Sequence, residues 1–518
     1  MTDLSRTLRH LPEPLLQFKY GQRLVYPRDG LYLFGPVGDP GDDITTVPYG
    51  VIGTSDGVRR FATWADRVRG FVDIPTPGPR SRAVEPQHVP FPGFQEAFHA
   101  EWPTKARTII ADIDSVELER VLRIENRHEA IRSAVDMFVT RIVAANNRTE
   151  NPPKVWFVVI PESVYFFGRP LSKVRKDERV ASTIGLTERQ ARKLDPNAPT
   201  LFGIDEMEAE VYKYATHFRR QLKARLLKDQ IVTQIVRETT LTPEEFVNEK
   251  GWPIRRVEDP ATIAWKLCTG AFYKAGGRPW QLADVRPGVC YVGLVYKRSE
   301  LTTNPKHSCC AAQMFLSNGE GVVFRGALGP WFHTDTKQFH LDKEAARNLI
   351  TMVVGEYERI HGGPPIELFI HAKSAFDRVE WEGFEAGCPA QTKLVGVQIV
   401  DAHDDLKLFR QGDYPVARGT VLYTGQSSAF LWTSGYAPRL DTYMGPETPN
   451  PISVRVLRGD CDLDTVLNDV LGLTKINFNS CLHNDRLPVT IRFADAVGDV
   501  LVAAPMEGDP KLPFKFYI

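Results

Sequence analysis

The sequence predicts an α/β protein built from two consecutive units, and three observations predict it. Short apolar runs at Val47–Ile52, Arg107–Ile113 and Val155–Ile160 alternate with a helix-period segment at Val121–Asn146, the pattern of a mostly parallel, Rossmann-like sheet. From Val289 onward the pattern changes to strands joined by a turn, then a helix, then another strand. The chain has 518 residues, more than one ordinary core holds, so two to three domains are expected.

Each element follows from local signals. Val47–Ile52 is apolar, and Pro48 argues for an edge strand because proline donates no ladder hydrogen bond. A proline-rich loop follows near residues 75–96. Ile131, Val135, Phe138 and Ile142 share one face of the helix Val121–Asn146. Asn151-Pro152-Pro153 then launches the buried strand Val155–Ile160. Met207–Asp229 reads as one long basic helical segment and Ile231–Arg237 as a strand. Thr242-Pro243-Glu244-Glu245 resembles a capping box with proline at the first helical position. In the second unit, Val289–Tyr296 and Cys310–Arg325 give strands with a turn at Ser317-Asn318-Gly319. Asp342–Ile360 is a helix closed by Gly362-Gly363, and Ile366–His371 the next strand. Strands near Lys393–Asp401 and Pro415–Thr424, a helix at Asp462–Leu471 and a helix opening near Ala494 complete an RNase H-like order.

Composition narrows the function classes. Basic and acidic residues number 64 each, so bulk charge does not mark a nucleic-acid protein and only local clustering counts. Clustering occurs at Arg219–Lys228, with Arg219, Arg220, Lys223, Arg225 and Lys228. The seven cysteines include no C-x-x-C pair, which supports neither a zinc knuckle nor a disulfide framework. No apolar run is long enough to span a bilayer and the first residues lack a signal core, so a cytoplasmic protein without membrane contact is expected.

Several segments together resemble a short prokaryotic Argonaute, the kind holding only MID and PIWI domains. They are GLYLFGP at Gly30–Pro36, TQIVRE at Thr233–Glu238, FYKAGGRPW at Phe272–Trp280, Ala311–Trp331, Gly425–Pro451, LTKINFNS at Leu473–Ser480 and Leu487–Gly498. The resemblance implies a Rossmann-like MID domain followed by an RNase H-like PIWI domain. It divides the chain into an N-terminal segment 1–35, a MID-like domain 36–265 and a PIWI domain 266–518, without room for further N-terminal and PAZ domains.

By the same resemblance, a 5′-phosphorylated guide, RNA more than DNA, sits in a pocket of cationic and amide donors. Lys223, Gln234 and Lys274 match three family places, and Arg219 stands where the family has tyrosine, with His217 nearby. Arginine also grips phosphate bidentately. Read alone, Arg219–Lys228 fits a solvated helix face better, and Gln234 and Lys274 at matching spacing turn the reading toward the pocket. The tail LPFKFYI is apolar and expected to dock, and the Ile518 carboxylate is implied to hold a structural Mg2+ beside the guide phosphate. Arg439, Lys475, Asn477 and Asn479 are candidate guide or target backbone contacts, or ordinary surface residues.

Two-metal phosphodiester cleavage needs carboxylates around a metal pair about 4 Å apart. The family's first acidic place is Val295 here, and the second falls in His371-Ala372-Lys373. Only Asp495 keeps an acid, as a relic or as a helix cap, and Glu320 cannot replace two ligands. The expected protein is therefore not an enzyme. It is a guide-loaded sensor of invading single-stranded DNA that activates an APAZ-containing effector of Sir2 or TIR type, which degrades NAD in antiviral defence. The alternatives are a nuclease effector, a guided nuclease with an atypical acid set, and a scaffold that binds no nucleic acid.

Overall fold

A computed structural model describes residues 7–38, 44–74, 87–191, 194, 204–284, 286–298, 308–315, 321–329, 331–333, 335, 337–402, 406–443, 445, 447–505 and 511–518. A four-stranded parallel sheet carries Thr108–Ile110, Tyr49–Ile52, Val155–Ile160 and Thr233–Arg237 in that order. Val155–Ile160 is buried along its whole length because helices cover both faces. Tyr49–Ile52 is not an edge strand as Pro48 suggested. The strand begins just past the proline, whose carbonyl still accepts from the Lys154 N–H at 2.8 Å.

The expected helix Val121–Asn146 is two helices, Ser115–Leu122 and Arg127–Arg148. Arg123 closes the first, and Asn126 caps the second, accepting from the N–H groups of His128 and Glu129. Ile131, Val135, Phe138 and Ile142 are all buried as the periodicity requires. The basic segment Met207–Asp229 is also broken, into Ile204–Ala209, a short 3-10 turn and Phe218–Leu226. Thr242 forms no capping box: its hydroxyl has no partner among the described residues, while Glu244 and Glu245 bind Arg67, Arg59 and Arg60 instead.

A nine-stranded mixed sheet forms the second unit. Its order is Leu8–His10, Thr420–Tyr423, Ser428–Leu431, Ile452–Arg458, Lys393–Asp401, Glu367–Ala372, Val289–Arg298, Ser308–Phe315 and Gly321–Gly329. Glu367–Ala372 runs parallel to both neighbours, and the other pairings are antiparallel. Helices Lys343–His361 and Arg378–Gly387 cover one face. Leu463–Leu473 and Val489–Leu501 cover the other, in a core continuous with the first unit. Gly293 permits this packing: a Cβ there would lie 1.7 Å from the Thr490 carbonyl oxygen.

Two expected divisions fall inside packed structure. The N-terminal segment is part of the large sheet through Leu8–His10, and Glu13 is clamped there by Arg418 and Lys475. The boundary at 265/266 lies within the helix Pro260–Ala275, which carries Lys274. The turn Ser317-Asn318-Gly319, Glu320 and most of the proline-rich loop lie outside the described residues. Among the described residues no helix is long and apolar enough to cross a membrane.

Candidate functional site

The two units meet at a cavity of about 350 Å3. Three elements bring its donors together. Helix Phe218–Leu226 presents Arg219 and Lys223, four residues apart and so on one face. Strand Thr233–Arg237 contributes Gln234, and the last turn of helix Pro260–Ala275 contributes Lys274. Asn479 and the terminal Ile518 complete the lining. All five residues expected around a guide phosphate therefore line one cavity, and Asn479 joins them.

Arg219 is exposed, whereas Lys223 and Lys274 are buried. Lys223 Nζ donates to the Thr233 carbonyl at 3.0 Å, to its hydroxyl at 3.2 Å, and to the main-chain oxygen of Ile518. Lys274 Nζ donates to Gln234 Oε1 and lies 3.5 Å from Asn479 Oδ1. Burial, with the charge of Arg219 added, pulls the Lys274 pKa down to about 7. Burial and the nearby Lys274 and Arg219 charges hold Lys223 well below the ordinary lysine range. Burial, then Arg220 and Arg219, lower His217 to about 4, so it stays neutral. The cavity thus gathers cationic donors, with no aspartate or glutamate among its lining residues.

The rest of the basic run faces elsewhere. Arg220 pairs with Asp499 at 2.7 Å, Arg225 pairs with Asp136 at 2.5 Å, and Lys228 is exposed. The solvated-face reading describes Lys228 but not Lys223. Tail docking is also realised: Phe514 stacks on Phe493 at 4.0 Å, and Ile518 is buried.

Sequence reasoning missed the short helix Glu162–Phe167 that follows Val155–Ile160. Its Tyr165 ring lies between two guanidiniums, Arg169 at 3.5 Å and Arg237 at 3.6 Å from the centroid. All three residues line the cavity. The available signal was their place at or just beyond the carboxyl ends of two parallel strands.

The remaining candidates lie apart from the cavity. Lys475 is buried and holds Glu13 and the Val25 carbonyl, so no surface presents it to a ligand. Asn477 binds Ser480 and Asp485, and Arg439 forms a two-point pair with Asp29. A larger cleft of about 780 Å3 opens at the other end of helix Pro260–Ala275, bordered by Arg28, Lys266, Tyr443 and His483.

Val295 and Ala372 are buried near the carboxyl ends of neighbouring parallel strands. Asp495 lies within helix Val489–Leu501, so it does not cap that helix, which starts six residues earlier. Its carboxylate is met by two ammonium groups, Lys297 Nζ at 2.7 Å and Lys373 Nζ at 3.5 Å. Burial opposes its ionisation, but the two lysines outweigh it and lower its pKa. His371 Nδ1 shares a 2.9 Å hydrogen bond with the Thr490 hydroxyl, and burial lowers its pKa to about 3. Elsewhere His340, Asp377 and Glu380 bring metal-type donor atoms within 4.8 Å of one another. They already have structural partners: Asp377 caps the Glu380 N–H at 2.7 Å, and Glu380 accepts from Tyr296 and Leu341.

No protein-family model matches this chain, and no curated protein matches its sequence. Solved structures do match. Clostridium butyricum Argonaute, bound to a guide DNA and a 19-mer target DNA, superposes with TM-score 0.58 at 14% identity, over 99% of this chain and 55% of that one. Aa-Ago with externally bound siRNA gives 0.55 at 14% identity, over 98% and 56%. A. aeolicus Argonaute gives 0.53 at 13% identity, over 98% and 55%. The fold is thus the mixed α/β fold of Argonaute MID and PIWI regions. The chain spans little more than half the length of these structures.

Proposed function

We propose that this chain holds a short guide nucleic acid by its 5′ phosphate and uses it to find a complementary strand. The observation that carries the reading is the convergence of Arg219, Lys223, Gln234, Lys274 and Asn479 on one cavity between the two units. A terminal phosphate needs charged and amide donors at reachable depth. It would add an anion to the oxygens that Lys223 and Lys274 already meet. Sequence would be read by base pairing, with the protein holding backbone and shape.

We further infer that the chain does not cut what it binds. Val295 and Ala372 supply no ligand, and Asp495 faces Lys297 and Lys373. Positive charge there opposes entry of a divalent cation. The effect of target recognition would then pass to a partner protein, an APAZ-containing effector of Sir2 or TIR type that degrades NAD. The partner reading comes from the family resemblance alone, as do the immune role, the RNA guide and the single-stranded DNA target.

Magnesium beside the guide phosphate fits the residues poorly. No aspartate or glutamate lines the cavity, and the Ile518 oxygen that the resemblance assigns to the metal already accepts from Lys223. Lys274 and Arg219 add like charge, so no step is drawn through a metal here.

The deciding measurement is the retention of 5′-phosphorylated RNA by the purified protein. Lys223→Ala combined with Lys274→Ala should abolish it, and a 5′-hydroxyl guide should bind far more weakly to the unaltered chain. Equal binding of both guides, or no effect of the double variant, would remove the reading in favour of a scaffold.

A further inference from the structure

Three neighbouring parallel strands, Val289–Arg298, Glu367–Ala372 and Lys393–Asp401, present their carboxyl ends side by side. In open α/β sheets ligands bind outside such ends. Here Ala372 is in register with Leu294 on one side and Gln398 on the other. The chain then continues into Lys373, whose carbonyl accepts from Gln398 Nε2 at 3.1 Å. Lys297 rises on the adjacent strand beyond buried Val295. Two lysines therefore stand over an apolar floor.

Among the described residues their charges are not balanced. Lys297 Nζ bridges Asp495 at 2.7 Å and Asp499 at 3.1 Å. Asp499 is also held by Arg220 at 2.7 Å. Among the described residues Lys373 reaches only Asp495, at 3.5 Å, and its side chain is 47% exposed. Three cations share two carboxylates, Asp495 and Asp499. Lys297 is fixed between its two acids, and Lys373 is the loosely held surplus charge.

We propose that Lys373, steadied by the Lys297–Asp495 pair, is an anion site that takes a backbone phosphodiester of the bound nucleic acid. This rests on the nucleic-acid reading above. The geometry suits it: an ammonium on a flexible stem can swing from a long contact to a phosphate oxygen, and the apolar floor strengthens the attraction. The site would hold the strand where a metal-dependent enzyme would cut it. The phosphodiester can belong to the guide or to its complement, and the chemistry is the same.

The test uses the full chain loaded with a 5′-phosphorylated RNA guide, and reads binding of a labelled complementary DNA by anisotropy between 50 and 200 mM salt. Lys373→Ala should weaken target binding on the order of tenfold at low salt and lower the magnitude of the salt slope by about one. Lys373→Arg should restore most of it. Single methylphosphonates are then walked through the target in one arm and through the guide in the other. One position should mimic the loss in the unaltered protein and add nothing in Lys373→Ala, and its strand identifies the source. Lys373→Gln, with a thermal melt of each variant, controls for folding. The proposal is overturned if Lys373→Ala and Lys373→Gln bind like the unaltered chain, or if no methylphosphonate position couples to Lys373. It is also overturned if affinity falls only in step with melting temperature. Failure of the unaltered chain to load a guide at all would instead remove the reading on which the proposal stands.

Discussion

Raising the pH from 7 to 9 is expected to weaken binding of a 5′-phosphorylated guide by about 50-fold, and the magnitude comes from Lys274. Burial and Arg219 lower its pKa from 10.5 to about 7. It is therefore about half neutral at pH 7 in the free protein and almost wholly neutral at pH 9. A phosphate beside it stabilises the ammonium, and full pairing would return the pKa toward its ordinary value. Binding then takes up a proton wherever the pH lies between the free and bound values. Each proton taken up costs tenfold in affinity per pH unit, which gives about 50-fold between pH 7 and 9 after averaging over the titration. Lys223 is lowered in the same sense and steepens the slope. The assay is a guide titration by anisotropy at constant ionic strength, with a 5′-hydroxyl guide as reference. Lys274→Arg, whose charge does not titrate in this range, should flatten the profile. A flat profile in the unaltered protein, or the same slope in Lys274→Arg, would refute the reasoning.

Three further predictions follow from the same geometry. Glu13→Gln should destabilise the chain by about 3–5 kcal/mol in chemical denaturation, because Arg418 and Lys475 lose their shared buried anion. Burial opposes ionisation of Glu13, but Arg418 and Lys475 hold its pKa at about 2, below the ordinary 4.5, so its contribution is present above pH 4.5 and is lost as pH falls toward 2. A Glu13→Gln chain should therefore lose less stability than the unaltered one over that acid range. Gly293→Ala should cost at least about 1–3 kcal/mol, since the new methyl meets the Thr490 carbonyl of a packed helix; an unchanged melting curve would show that strand and helix can part freely. Finally, a labelled target should stay intact with magnesium or manganese, and Val295→Asp alone should not restore cutting while Lys297 and Lys373 hold Asp495. A fixed-position cut abolished by Asp495→Asn would return the guided-nuclease reading.

Much of the fold was legible because it depends on local periodicity. Val155–Ile160 could only be a strand buried on both faces. Asp342 and Gly362 bracketed Lys343–His361 by cap chemistry, through a side-chain acceptor at one end and a left-handed φ of 77° at the other. The misreadings lie where two local signals compete. Pro48 suggested an edge because its missing N–H is visible, while the start of the strand one residue later is not. The segment Met207–Asp229 looked continuous because charge and helix propensity persist across it, yet Tyr214–His217 leaves the helix so that Phe218–Leu226 can turn toward the cavity. Asp495 looked like a cap until Pro488 proved to precede the first helical residue.

The sequence alone determined the alternation of strands and helices, the docked apolar tail and the residue types at the two candidate centres, because each is set by neighbours within a few positions. Only the tertiary structure decided which charges meet. It buried Lys475 against Glu13 although LTKINFNS reads as an exposed loop, and it moved Asn479 from that loop into the cavity with Lys274. It also set Lys297 and Lys373 on Asp495 from three separate elements. The electrostatic state of such groups depends on distance and burial across hundreds of residues of chain, and periodicity carries no record of either.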